Sequence, residues 1–161
     1  MLILGLNAYH ADSSAAIFKD GILIAATEEE RFRRIKHWAG FPSEAIKFCL
    51  KEANISLQQV DYITIGRDPK AKFWSKVKFV LANVHKKNTL LSDRIKNSKK
   101  IASIESELAA ISNLPEAEIK PKIINVEHHR SHLASAFFAS PFDEAAILSI
   151  DGSGDFTTTM I

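Results

Sequence analysis

The stretch LILGLNAYHADSSAAIFKDGILIAAT, Leu2 to Thr27, decides the fold. Leu2 to Asn7 is a short apolar run that suits a buried strand, and Ser14 to Lys19 suits a second. Asp20-Gly21 supplies the positive φ angles that a two-residue hairpin loop demands, so Ile22 to Thr27 follows directly as a third strand. The chain therefore opens with a three-stranded meander. Working outward, the charged stretch Glu28 to Lys36 is followed by Pro42 and Ser43. Beyond them Ala45, Ile46, Cys49, Leu50 and Ala53 share one helical face, which predicts an amphipathic helix ending at Asn54. Val60 to Gly66 alternates as a strand, and the order becomes β-β-β-α-β, an α/β class.

The remainder reads as helices, then a strand, a helix and a hairpin. Phe73, Val77, Val80, Leu81 and Val84 predict one helix. Ile101, Ile104, Leu108 and Ile111 predict another, with a polar connection near Lys86 to Ser98. Pro115 and Pro121 punctuate a loop before Lys122 to Val126, a β-branched run expected as a buried strand. His129 to Ala139, with Leu133, Ala134, Ala136, Phe137 and Phe138, fits a well-packed helix stopped near Pro141. Ala145 to Ile150 is expected as a strand, Asp151 to Gly154 as a tight turn, and Phe156 to Ile161 as the returning strand. This last hairpin repeats the plan of the first, which points to an internal duplication whose second copy is cut off.

Composition bounds the function. The 161 residues are 46% hydrophobic and 25% charged with a net charge of +2, which excludes general disorder and allows one domain or two. No apolar run approaches the roughly 20 residues of a membrane span, and the start has no basic leader, so a cytoplasmic protein is expected. The single Cys49 excludes an internal disulfide and a cysteine-only zinc site; its place on the apolar helix face makes it a core residue. Asp68 to Lys100 carries ten Lys and Arg against Asp68 and Asp93. A solvated helix face accounts for that block, and the alternative is a non-catalytic module that docks residues 70–100 on nucleic acid or an acidic partner.

The chemistry concentrates at Glu127-His128-His129-Arg130-Ser131-His132. His128 and His132, at i and i+4, stack on one helical face, the geometry a divalent metal needs from two helix-borne imidazoles. His129 follows His128 where a metalloprotease has its glutamate, so peptidase chemistry is not expected. Asp151, at the end of a strand, is the candidate third ligand. The bland alternative has the two histidines capping and packing while Asp151 and Asp155 shape a turn. His129 is expected at the surface or behind the ligands. A second candidate site lies at His10, Asp12, Ser13 and Ser14, where an Asx-type turn is the simpler account. The basic cluster Arg31, Arg33, Arg34, Lys36 and His37 suits a phosphate or a carbonyl oxygen, or solvent alone.

Four blocks together resemble a known family. Leu4-Gly5-Leu6-Asn7-Ala8-Tyr9-His10-Ala11-Asp12-Ser13-Ser14-Ala15-Ala16, Glu28-Glu29-Glu30-Arg31-Phe32 with Lys36-His37, His128-His129-Arg130-Ser131-His132 with Ala134-Ser135-Ala136-Phe137, and Asp151-Gly152-Ser153-Gly154-Asp155 are similar to the N-terminal part of O-carbamoyltransferases of nodulation-factor and antibiotic biosynthesis. The resemblance implies an actin-like ATPase (ribonuclease H-like) fold related to the tRNA threonylcarbamoyladenosine transferase. It places a first β-β-β-α-β-α lobe over 1–126, with a basic helical insertion about 70–112, and the beginning of a second lobe over 127–161. It implies transfer of a carbamoyl group from carbamoyl adenylate, made from carbamoyl phosphate and ATP, to the hydroxyl of a small-molecule substrate. His128, His132 and Asp151 would hold a metal, iron first and zinc second, and His10 and Lys36 would lie near the carbamoyl group. A chain ending inside a β-branched run is expected to be a fragment, inactive without the C-terminal domains of the same protein and prone to self-association. Neither a membrane nor a nucleic acid is an expected partner of such an enzyme.

Overall fold

The structure is a computed structural model that describes residues 1–82, 104–155 and 157–161. The chain divides into two compact units, Met1–Ile65 with Leu91–Ile124, and Gly66–Leu90 with Asn125–Ile161.

The first unit is a mixed α/β layer. Strands β1 (Leu2–Asn7), β2 (Ser14–Lys19) and β3 (Ile22–Glu28) form the meander. Asp20 and Gly21 take φ of 52° and 83°, the conformation that closes a tight hairpin with the right twist. A short helix α1 (Glu30–Arg33) and the helix α2 (Ser43–Glu52) lead to β4 (Tyr62–Ile65), which runs parallel to β1. A parallel neighbour requires a crossover, and α2 is that crossover. Helices α4 (Ile104–Ser112) and α5 (Glu116–Ile119) precede β5 (Ile123–Asn125), and the sheet order is β3-β2-β1-β4-β5.

Alternation along the strands decides which face is buried. Leu4, Leu6, Ala15, Ile17, Ile63 and Ile65 point to one side, where they meet Ala45, Ile46 and Cys49 of α2, Ile104 and Leu108 of α4, and Ile119 of α5. The Cys49 thiol sits wholly inside this core, and burial pushes its pKa up to about 11. A core role replaces any nucleophilic one. Glu29 is also fully buried. Its carboxylate accepts from the Ala45 N–H at 2.8 Å and from Arg33 Nε at 2.7 Å, so this buried charge is paired and caps the start of α2.

Several expectations need correction. The loop between Pro115 and Pro121 instead holds α5, because Ile119 gains burial that a loop would forgo. The strand expected at Lys122 to Val126 shrinks to β5 and is not buried: it lies at the sheet's edge with Ile124 and Asn125 exposed. In the second unit, α3 spans Phe73–Ala82, and the polar connection Lys86 to Ser98 lies outside the described residues. Helix α6 (His128–Phe138) is not well packed, since it buries only His129 and leaves Phe138 exposed. Ala145 to Leu148 is not strand. Strand β6 begins at Ser149 and runs through Gly154 to pair with β7 (Thr157–Met160), so Asp151 to Gly154 is bulged strand and the chain turns at Asp155.

Replacing Leu4, which has no exposed surface, tests the layer. Leu4→Ala is expected to lower the unfolding free energy by about 2–5 kcal/mol, read from urea unfolding. A loss below about 1 kcal/mol would mean that the site collapses around the smaller side chain and that the sheet face is loosely packed.

Candidate metal centre

Helix α6 presents His128 at its start and His132 one turn later. Glu127 provides no side-chain cap to this helix. Instead Asp155 reaches in from the turn after β6, and its Oδ2 accepts the N–H of His128 and of Asp68, each at 2.8 Å. The carboxylate thus satisfies a helix-end donor and suits the positive end of the helix dipole. One helical turn apart, His128 and His132 meet edge to face with Nε2 atoms 3.1 Å apart.

The third group comes from β6. Ile150 pairs with Thr159 and Gly154 with Thr157, so Asp151, Gly152 and Ser153 bulge out opposite Thr158 alone. The bulge re-aims a side chain that regular pleating would send elsewhere. Asp151 Oδ2 lies 2.6 Å from His128 Nε2 and 3.6 Å from His132 Nε2, while Oδ1 accepts the Gly152 N–H at 2.6 Å. The His128 hydrogen bond and then the Gly152 N–H hold the Asp151 carboxyl below the usual carboxylate range, so it is an anion at neutral pH.

The proton count of this cluster is informative. His128 Nδ1 faces the Gly66 carbonyl oxygen at 3.3 Å, and a carbonyl only accepts, so Nδ1 carries a hydrogen. A hydrogen bond given by Nε2 to Asp151 then requires the doubly protonated ring, and in the neutral ring Nε2 is a lone pair aimed at a carboxylate oxygen and at a second imidazole nitrogen. Such a convergence of lone pairs is held either by a shared proton or by a cation. Two donors bound at about 2.1 Å stand about 3.0 Å apart at a right angle and about 3.4 Å apart at the tetrahedral angle. The observed 3.1 and 3.6 Å match those spacings, and the 2.6 Å pair would open by about half an ångström around an ion. His128, His132 and Asp151 thus form a donor set that fits a divalent metal.

Over residues 2–161 the sequence matches the carbamoyltransferase N-terminus family. The chain belongs to that family. It is 42% identical over 164 residues to the uncharacterized protein sll1178 of Synechocystis sp., covering 99% of this chain and 26% of that protein. It is 33% identical over 159 residues to the nodulation protein NolNO of Sinorhizobium fredii, covering 96% of this chain and 21% of that one. An uncharacterized protein of Methanocaldococcus jannaschii, MJ1051, is 29% identical over 154 residues. This carbamoyltransferase N-terminus spans about a quarter of the length of these curated relatives: 26%, 21% and 23%.

The other expected site residues belong to the first unit. His10 sits in the turn after β1 and Lys36 in the loop after α1, both exposed. Their two loops are stitched together: Tyr9 N–H donates to Gly40 O at 3.1 Å, Ser13 N–H to Trp38 O at 3.0 Å, and the buried Ser13 hydroxyl to Gly40 O at 2.7 Å. His37 Nδ1 and Asp12 Oδ1 add a pair at 2.8 Å. Asp12 raises the His37 pKa above 6.5, first through this hydrogen bond and then through its charge. Of the basic cluster, Arg33 is engaged by Glu29 and lies 4.5 Å over the Trp38 ring, which makes it a structural residue.

Sequence reading missed two contributors in this carbamoyltransferase N-terminus and left the place of a third open. Gly66 lends a carbonyl to His128, and nothing in a strand-end glycine signals that. His129, expected at the surface or behind the ligands, is fully buried. Gly154 is required for space and not for its φ: a Cβ there would lie 1.8 Å from His128 Cδ2 and 2.3 Å from Cγ. At Gly152 nothing lies within 4 Å.

Gly154→Ala is accordingly expected to destabilise the protein by about 1–3 kcal/mol by overpacking. Gly152→Ala should stay within about 0.5 kcal/mol of the parent, both read from denaturant unfolding. Equal effects would remove the steric role of Gly154. For the loops, an NMR titration of His37 should give a midpoint above 6.5 that falls toward 6.5 in Asp12→Asn. The raised value means that the pair stabilises below pH 6.5 and that this contribution fades as pH climbs through the folded-state pKa. An unmoved midpoint in Asp12→Asn would dissolve the pair.

Proposed function

We propose that the chain is the N-terminal part of a carbamoyltransferase that moves a carbamoyl group from carbamoyl adenylate, formed from carbamoyl phosphate and ATP, to a substrate hydroxyl. The observation that carries this reading is the convergence of His128 Nε2, His132 Nε2 and Asp151 Oδ2 in a member of the carbamoyltransferase N-terminus family. Two imidazoles and one carboxylate form a set suited to ferrous iron, with zinc as the second choice. When bound, the metal supplies a Lewis-acid centre for phosphate and carbonyl oxygens.

The chain's own residues take the remaining roles in this proposal. The hydroxyl oxygen attacks the carbamoyl carbon, the bond from that carbon to the phosphate oxygen breaks, and AMP leaves. His10 accepts the hydroxyl proton, and Lys36 stabilises charge on the carbonyl oxygen as it develops. Asp155 and the Gly66 carbonyl orient His128, and the Gly152 N–H orients Asp151. The sheet order β3-β2-β1-β4-β5 with its parallel β1–β4 pair supports an actin-like lobe of the ribonuclease H type. In this reading residues 1–126 form the first lobe and 127–161 begin the second, and turnover needs the rest of the protein.

The reading is tested at two levels. The chain is expected to take up iron(II) or zinc(II), measured by elemental analysis after gel filtration, and alanine at both His128 and His132 should abolish uptake. Equal uptake by that variant places the ligands elsewhere. The full-length gene product is expected to consume carbamoyl phosphate and ATP in the presence of a hydroxyl acceptor, and a product without that turnover would refute the assignment.

A further inference from the structure

We propose that His129 is a positioning residue that sets where Asp151 meets the two histidine ligands; the inference rests on the metal reading above. The candidate ligands come from two elements, His128 and His132 from α6 and Asp151 from the β6–β7 hairpin, and no β-ladder joins helix to hairpin. Groups outside the three donors must fix the distance, and Asp155 on the hairpin turn supplies one link, to the His128 N–H. His129 is the one buried residue of α6, with no exposed surface, and both ring nitrogens are used. Its Nδ1 lies 2.8 Å from Ser149 Oγ and its Nε2 lies 3.0 Å from Thr157 O.

The partners define the proton positions. The Thr157 carbonyl only accepts, so Nε2 carries the hydrogen, and in the neutral ring Nδ1 accepts the proton of the Ser149 hydroxyl. Ser149 is on β6 and Thr157 on β7, so one imidazole grips both strands. They also flank the bulge: Ser149 stands two residues before Asp151, and Thr157 pairs with Gly154 just after Ser153. The grip therefore straddles the three residues that lift the Asp151 carboxylate toward α6. His129 touches neither Asp151 nor a cation placed among the three donors. It acts through the hairpin, as a buried hydrogen-bonded imidazole whose loss leaves a cavity and removes the hydrogen bonds to Ser149 and Thr157.

Cobalt(II) is the probe, because its visible absorption reports ligand geometry as well as occupancy. In the protein, His129→Ala and Ser149→Ala are expected to weaken cobalt(II) binding by about 10–100-fold and to change the absorption of the bound ion. His129→Asn, whose amide oxygen can stand in for Nδ1 and accept from Ser149, should regain part of the affinity. A purely structural role would lower the folded fraction and leave the affinity and spectrum of the folded protein unmoved. Should His129→Ala not fold, Ser149→Ala, the smaller change, decides. Parent affinity and parent spectrum in folded Ser149→Ala and His129→Ala overturn the positioning role while the metal reading stands. Cobalt uptake that is the same in the parent and in the variant with alanine at His128 and His132 overturns both.

Discussion

Three electron-pair donors directed at one point repel one another unless a positive charge lies among them. In the second unit His128 Nε2, His132 Nε2 and Asp151 Oδ2 meet within 4.8 Å of one another. A hydrogen on His128 Nδ1, required by the Gly66 carbonyl, turns the Nε2 lone pair toward Asp151 and His132. The helix start is tied by Asp155, the hairpin by His129, and Gly154 leaves the room in which the His128 ring lies. Each of these residues serves a distance of a few ångströms among side chains that two separate elements supply. Metal-ligating imidazoles commonly owe their orientation to the hydrogen bond on the opposite nitrogen, and His128 has such a bond, with a backbone acceptor.

The first unit solves a different problem. A parallel neighbour for β1 forces the chain across one sheet face, and α2 makes that crossing with Ala45, Ile46 and Cys49 against the strands. Its start carries the fully buried Glu29, held by the Ala45 N–H and by Arg33. The loops bearing His10 and Lys36 are joined by backbone hydrogen bonds, by the Ser13 hydroxyl and by the Asp12–His37 pair, with neither the His10 nor the Lys36 side chain among these links. The scaffold and the reactive groups are thus separable: Ser13, Trp38 and Gly40 hold the loops, leaving the exposed His10 and Lys36 outside the core packing.

Much of this was legible from local sequence. Asp20-Gly21 determined the first hairpin because the φ values it adopts are available to few residue pairs. The spacing of Ala45, Ile46 and Cys49 determined the buried face of α2, since a helix has one period. The i, i+4 spacing of His128 and His132 determined their stacking for the same reason. Four motif blocks in order were sufficient to indicate the family.

What tertiary structure decided lies where the cause is distant in the chain. The bulge at Asp151 to Ser153 depends on the register against β7, which no local pattern encodes, and a run rich in glycine reads equally as a turn. Burial of His129 depends on a hairpin 20 and 28 residues away, at Ser149 and Thr157, so its helical phase alone left the surface and a place behind the ligands both open. Gly154 looks like a glycine chosen for its backbone, and only the nearby His128 ring shows that it is chosen for its missing side chain. Residue types and spacings determined which groups were available for chemistry. The meeting of helix and hairpin decided their separations, because those distances arise between elements that the chain itself keeps apart.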